Sequence, residues 1–166
     1  IAGKDVSELQ WQAFFQFYTM TYLKRGSRPY LNLGFFQQIA ATMGEQLLLV
    51  LAIKDENAIA AALSFVGSDT LYGRYWGCYD EYNSLHFETC YYQGLDYCIE
   101  HGLKRFDSGA QGEHKISRGF EPITTYSAHW IKDARLAKAI EHFLVREQKA
   151  VQHYKQDTAS YLPFKQ

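Results

Sequence analysis

The feature that most constrains the fold of this chain is a change in hydrophobic period near residue 46. Before that point, five aromatic residues fall on one face of a helix: Trp11, Phe14, Phe15, Tyr18 and Tyr22. After it, Leu47–Ile53 and Ala58–Val66 are continuous apolar runs separated by a polar turn, a pattern typical of strands buried on both faces. Because amphipathic helices and buried strands must cover one another, this order predicts a sheet with helices packed on its faces.

Capping and stop residues set the bounds of two helices that precede the strands. Ser7 is a favourable N-cap for a helix that runs to Arg25 and stops at Gly26. A second helix is predicted over 33–43. After the hairpin, a third strand is predicted over 70–79, and the glycines within it indicate a bulge or a close approach to the backbone.

The second half of the chain continues with a helix over 85–101, capped by Asn83 or Ser84. A short strand at 103–107, a polar glycine-rich loop at 108–119, an alternating strand at 123–131, a long helix after Asp133 and a tail at 156–166 complete the order. The helix between the third and fourth strands is a crossover, which predicts that these two strands are parallel. We therefore expect one α/β domain over 1–166 with a mixed central sheet.

Composition narrows the classes of function. The 166 residues carry a formal net charge of −1, so the basic excess of a nucleic-acid-binding protein is missing. No apolar run approaches the roughly 18 residues that a membrane span needs. The three cysteines form no CxxC pair, which argues against a disulfide framework or a zinc site and favours a reducing cytoplasm. Cys90 and Cys98 lie in an apolar helical pattern, where we expect small buried hydrophobes.

Four segments carry a family resemblance. They read LYGRYWG at 71–77, LHFETCYYQG at 85–94, RFDSGAQGEHKISRGFEP at 105–122 and TYSAHWI at 125–131. Together they resemble the FemAB-like family, named for peptidoglycan biosynthesis or recognition, of the GNAT (acyl-CoA N-acyltransferase) superfamily. The resemblance covers the chain from about Trp11 to Glu147. It implies a GNAT-like α/β (α+β) fold, and it implies that this chain is the C-terminal half of a longer protein with a preceding GNAT-like domain.

The same resemblance implies the activity. An enzyme of this kind transfers an acyl or aminoacyl group to an amine acceptor, and its donor lies in a cleft between the strands at 70–79 and 103–107. The alternative is a non-catalytic module that recognises a peptide or muropeptide. A fold hosts many functions, so the site residues must decide between them.

The densest polar group lies in the loop after the fourth strand. Amide formation needs a base for the amine proton and donors for the oxyanion. We expect Glu113 or His114 to be the catalytic base, and Lys115 and Arg118 to hold an anionic group. The alternative is a solvated surface loop in which Glu113 pairs with Lys115 or Arg118.

Four further residues are predicted to line the substrate site. His86 and Glu88 open the crossover helix, although both residue types are also common at helix starts for local reasons. Arg74 lies within a strand, where a charge is costly unless paired, so we expect it to pair with Glu88 or Asp107 and to line the cleft. His129 lies on the last predicted strand and can reach the same space.

The donor itself is left open. GNAT enzymes hold the pyrophosphate of an acyl-CoA on a glycine-rich turn at the start of the crossover helix, where free backbone amides attract anions. Here that turn reads DEYNS at 80–84, with two acids and no glycine. Acyl-CoA is therefore a doubtful cofactor, a tRNA-borne donor has no support from the net charge, and no metal is expected.

Overall fold

The computed structural model describes residues 1–110 and 112–164. The chain forms two compact units, Ile1–Gly109 and Ala110–Gln166. The first unit holds the sheet and most of the apolar core. The second holds a short 3₁₀ helix and a long α-helix.

The sheet of the first unit has four strands in sequence order: β1 (Leu47–Lys54), β2 (Asn57–Val66), β3 (Thr70–Cys78) and β4 (Arg105–Asp107). The first three strands are antiparallel neighbours, and β4 runs parallel to β3. The mixed sheet and the parallel crossover predicted from the sequence are confirmed.

The β1–β2 hairpin shows how local chemistry sets the register. Asp55 and Glu56 form its two-residue turn, and both have positive φ, at 49° and 64°. Such a turn matches the right-handed twist of the strands that it joins. It pairs Lys54 with Asn57, and a register shift between Ala52 and Ile53 then sets which side chains face each side of the sheet.

Helices α1 (Glu8–Lys24) and α2 (Leu33–Met43) cover one face of the sheet. A capping box begins α1, because the Ser7 hydroxyl accepts from the Gln10 amide while the Gln10 side chain accepts from the Ser7 amide. The core on this face joins both helices to alternate residues of β1 and β2: Trp11, Phe14, Phe17, Tyr18, Phe36, Leu47, Leu49, Ala61 and Leu63. The bounds predicted for both helices are confirmed.

The other face carries a composite helix over 85–101. It consists of α3 (Leu85–Phe87), a π-helical turn (Glu88–Tyr92) and α4 (Gln93–His101). Cys98 of α4 packs against Leu48 and Leu71. Ser84, one of the two predicted caps, is the N-cap residue, but it has φ 62° and its side chain makes no capping hydrogen bond to a helix amide.

The second unit contains a 3₁₀ helix (Glu113–Arg118) and α5 (Ala134–Ala159). Asp133 caps α5 as predicted, accepting from the amides of Arg135 and Leu136. The helix runs four residues into the stretch predicted as a tail, because no Gly or Pro between 156 and 159 breaks it.

The strand predicted at 123–131 is wrong. These residues have no regular secondary structure, and Tyr126 and Trp130 are 92% and 84% exposed. Alternating apolar residues form a strand only where a neighbouring strand supplies hydrogen bonds, and none pairs with this segment in the described part of the chain. Across the described residues, no helix is both long and apolar enough to cross a membrane.

Candidate functional site

A β-bulge lies at Arg74. Ser64 of β2 pairs with Gly73 and Leu63 pairs with Tyr75, so Arg74 is the extra residue of β3. Bulges redirect side chains and are common beside active sites. Here the bulge brings the side chains of Arg74 and Tyr75 together on the face of the sheet that α1 and α2 cover.

The Arg74 guanidinium rests on tyrosines. It lies 4.7 Å from the centre of the Tyr75 ring and donates to the Tyr30 hydroxyl at 3.2 Å. Tyr30 comes from the loop between α1 and α2, and its hydroxyl is also 3.2 Å from that of Tyr75. The predicted ion pair with Glu88 or Asp107 is wrong: in the described residues no salt bridge joins Arg74 to either acid. Most of its five N–H donors are thus available to a ligand.

In this Arg–Tyr cluster (Tyr22, Tyr30, Arg74 and Tyr75), the pKa values of the three tyrosines shift in different directions. The hydrogen bond with Tyr75 lowers the pKa of Tyr30, aided by Tyr22 and by the charge of Arg74. Burial raises the pKa of both Tyr22 and Tyr75, and their bonds to Tyr30 add to this rise. Tyr30 is therefore the phenol of the cluster that ionises first.

Next to the cluster, β3 continues beyond its parallel neighbour. The β3–β4 ladder covers only Thr70–Tyr72 and Arg105–Asp107, whereas β3 extends to Cys78. At Trp76 the backbone carbonyl is already engaged, because it accepts from the Thr21 hydroxyl of α1 at 2.9 Å. The open stretch of β3 is therefore residues 73–75, where the strand has no ladder partner on the β4 side in the described residues. This matches the parting of strands that the resemblance implies.

Tyr75 and Trp76, at the end of this open stretch, contact elements on opposite faces of the sheet. Tyr75 faces α1, α2 and Tyr30, whereas the Trp76 ring packs edge-on against His86 of the composite helix, with centroids 5.1 Å apart. His86 also contacts Cys90 and Tyr91. The predicted residues Arg74 and His86 thus flank the same segment of β3 from opposite sides.

Glu88 lies apart from these contacts. Its carboxylate accepts from the Gln93 side chain at 2.9 Å on the exposed side of the composite helix. The bond spans i to i+5, which suits the π-helical turn between these residues. Its predicted role in the substrate site stays a prediction.

The start of the composite helix does not fit a pyrophosphate. The amides of Leu85 and Phe87 already donate to the carbonyls of Tyr82 and Ser84. Asp80 and Glu81 are exposed beside them, and their negative charges repel a phosphate. The local structure therefore agrees with the missing glycine pattern, and the usual CoA phosphate contacts have no counterpart at this turn.

In the second unit, four predicted site residues share the short 3₁₀ helix: Glu113, His114, Lys115 and Arg118. Arg118 donates to the His114 carbonyl at 2.7 Å, which holds the turn together. Glu113 and His114 are exposed. No salt bridge joins Glu113 to Lys115 or Arg118 in the described residues, so the ion-paired surface loop is not the arrangement found. Catalysis by Glu113 and His114 stays a prediction.

His129 also belongs to the second unit. One of its ring nitrogens lies 2.9 Å from the Ser127 hydroxyl, within the irregular segment that was predicted as a strand. Its predicted part in substrate binding stays a prediction.

Sequence reasoning missed Tyr30 and Cys90. Tyr30 lies in a connecting loop, and only the tertiary structure brings it to Arg74. Cys90 was expected to be buried, but it is half-buried and contacts His86, whereas Cys98 is buried as expected. The high number of tyrosines, 13 in the chain, was the one signal for the Arg–Tyr cluster.

Comparison with known proteins agrees with this architecture. No protein of curated function matches the chain. The tetramutant of the BH1408 protein from Bacillus halodurans superimposes with a TM-score of 0.53 at 14% identity, over 76% of this chain and 97% of that one. At that identity the likeness shows the fold alone, and the predicted GNAT-like mixed α/β fold is confirmed. A family described by peptidoglycan biosynthesis/recognition matches residues 1–166. The chain therefore belongs to the FemAB-like family.

Proposed function

We propose that this chain is an N-acyltransferase domain that transfers an acyl or aminoacyl group to an amine acceptor. The observation that carries the proposal is the bulge at Arg74 beside the open stretch of β3. Backbone groups of an unpaired strand can hold an extended donor by ladder-type hydrogen bonds. A cationic side chain at the same place can fix a second, anionic substrate.

The Arg–Tyr cluster supports an acceptor site on the face that α1 and α2 cover. Arg74 is exposed and held in place by the Tyr75 ring and the Tyr30 hydroxyl. A guanidinium restrained in this way binds a carboxylate or phosphate with less loss of side-chain entropy than a free arginine. In this proposal it binds an anionic group of the acceptor, such as a peptide carboxylate, and leaves the amine to react.

The reaction then needs one proton transfer. The amine attacks the acyl carbon, a base takes its proton, and the leaving group departs with the acyl bond broken. Glu113 and His114 are our proposed bases, with Lys115 and Arg118 steadying anionic groups.

Two donors, acyl-CoA and an aminoacyl-tRNA, could supply the transferred group. Engaged amides and two acids at 80–84 disfavour the phosphates of coenzyme A. An aminoacyl-tRNA avoids that turn, although the net charge of −1 lends it no support.

A transfer assay tests the proposal directly. The chain is incubated with a muropeptide that has a free amine, and with either acetyl-CoA or alanyl-tRNA. Mass spectrometry of the muropeptide then detects the new amide. We expect product with one of the donors, and we expect Arg74→Met to reduce it far more than Arg74→Lys.

One observation favours a recognition module as the second candidate. Aromatic rings and a restrained arginine are also what a peptide-binding surface requires, and the start of the composite helix lacks a phosphate site. If no donor gives an amide while calorimetry shows muropeptide binding that Arg74→Met abolishes, the recognition function replaces the enzymatic one.

A further inference from the structure

His86 contacts two polar side chains of the composite helix. Its Nδ1 lies 3.4 Å from the Cys90 sulfur, and its Nε2 lies 3.3 Å from the Tyr91 hydroxyl. A thiol, an imidazole and a group that orients the imidazole are the parts of an activated cysteine nucleophile.

The π-helical turn makes this arrangement possible. In a regular α-helix of 3.6 residues per turn, residue i+5 lies about 140° around the axis from residue i and cannot share its face. The wider turn over Glu88–Tyr92 brings residues i+4 and i+5 to the same side. Cys90 and Tyr91 therefore both reach His86. π-turns of this kind are rare, and they are frequent at functional sites.

The rings packed around His86 fix its imidazole beside the half-buried Cys90. The rings of Trp76 and Phe87 pack against His86, with centroids at 5.1 Å and 5.7 Å. Tyr91 is only 4% exposed, so its hydroxyl is held in place by packing. When Nε2 donates to Tyr91, Nδ1 is left as the acceptor for the Cys90 thiol. Cys90 itself is half-buried.

From this geometry we propose that Cys90 is a nucleophile, with His86 as its base, and that it carries the acyl group as a thioester between donor and amine. The proposal rests on the acyltransferase function given above and deepens it. It replaces direct transfer with two successive steps. Trp76 places the pair directly beside the open stretch of β3, on the face opposite to the Arg–Tyr cluster.

In the first step the Cys90 thiol gives its proton to Nδ1 of His86, and the thiolate attacks the acyl carbon of the donor. The tetrahedral adduct collapses, the donor's oxygen or sulfur leaves with the proton from His86, and an acyl-Cys90 thioester remains. In the second step the amine attacks the thioester carbon and loses a proton to His86. The C–S bond breaks, the amide departs, and the Cys90 thiolate takes the proton back.

Alkylation with iodoacetamide tests the activated thiol without any acyl donor. Cys78 and Cys98 are internal controls, because burial raises the pKa of both thiols. Peptide mass spectrometry follows all three cysteines over a pH series. We expect Cys90 to react about tenfold faster than either control near pH 7, since an imidazole partner increases the thiolate fraction. We expect His86→Gln to remove this advantage, and Tyr91→Phe to reduce it by less.

If Cys90 reacts no faster than Cys98, or if His86→Gln leaves its pH profile unchanged, the proposal is wrong. The comparison among three thiols of one natural chain does not depend on whether a variant folds. Circular dichroism of each variant shows whether a lost rate reflects lost structure.

Acylation with p-nitrophenyl acetate tests the carrier step. We expect an acetyl adduct on Cys90 that hydroxylamine removes, and no such adduct on Cys90→Ser. If Cys90→Ser keeps full transfer to muropeptide, the thioester is not on the pathway and the proposed acyltransferase works by direct transfer. If acyl-Cys90 forms but no amide is ever produced, the role of Cys90 as a nucleophile is supported and the proposed acyltransferase function is wrong.

Discussion

The hydroxyl oxygens of Tyr30 and Tyr75 lie 3.2 Å apart, although 45 residues separate them in the chain. One comes from the loop between α1 and α2 and the other from β3. Arg74 of the bulge donates to the first and stacks on the second. The candidate acceptor site therefore depends on the packing of α1 and α2 against the sheet.

This contact predicts the order in which the tyrosines ionise. Because Tyr75 and Arg74 favour its phenolate, Tyr30 has a lowered pKa and ionises before Tyr22 and Tyr75, whose pKa values are raised. A spectroscopic tyrosinate titration should lose its earliest step in Tyr30→Phe, and Arg74→Met should move that step to higher pH. Since the pKa is lower in the folded state, ionisation of Tyr30 favours folding as the pH rises through that value. An unchanged titration in Tyr30→Phe would contradict this assignment.

Two glycines of β3 are predicted to differ sharply in their tolerance of alanine. A Cβ at Gly77 would lie 2.2 Å from the Phe17 carbonyl oxygen, which is backbone of α1 and cannot move aside. Gly77→Ala should lower the free energy of unfolding by about 2 kcal/mol or more, as overpacking does. At Gly73 the nearest atom is 3.5 Å away, so Gly73→Ala is the matched control and should change stability by less than about 1 kcal/mol. Urea denaturation measures the free energy of unfolding of both variants. Equal losses of stability in the two variants would refute the close approach of α1 to Gly77.

The predicted bases of the 3₁₀ helix can be tested apart from stability. Glu113 and His114 are exposed, and substitutions at exposed sites usually change stability by less than about 0.5 kcal/mol. If either is the base, Glu113→Gln or His114→Gln should reduce amide formation about 100-fold while the urea midpoint stays constant. Should both variants retain full activity, the base lies elsewhere, and His86, the base of the thioester route, is the next residue to substitute.

The irregular segment at 123–131 gives a direct optical prediction. Trp130 is 84% exposed, whereas Trp11 is 3% exposed. Acrylamide should therefore quench Trp130 far more strongly than Trp11, and Trp130→Phe should remove most of the quenchable emission. Protection of Trp130 from acrylamide would show that this segment is covered in solution, as the strand predicted from its alternating pattern would be.

The sequence by itself determined the elements whose signals are local. Ser7 and Asp133 begin helices because their side chains bond the first free amides, and the apolar runs on either side of Asp55 and Glu56 become strands because the turn between them sets their pairing. The family motifs and the order of elements were enough to predict the mixed sheet and its parallel crossover.

Tertiary structure alone decided where the chemistry-bearing residues meet. The segment at 123–131 alternates like a strand but has no ladder partner in the described residues, because hydrogen bonds between strands are not encoded in a local pattern. The bulge at Arg74 depends on the β2–β3 register, and the contact of His86 with both Cys90 and Tyr91 depends on one π-helical turn. The bulge shifts the strand register by one residue, and the π-helical turn rotates the following side chains by a fraction of a helical turn. Hydrophobic periodicity cannot resolve such shifts, because it reports only which face of an element is buried.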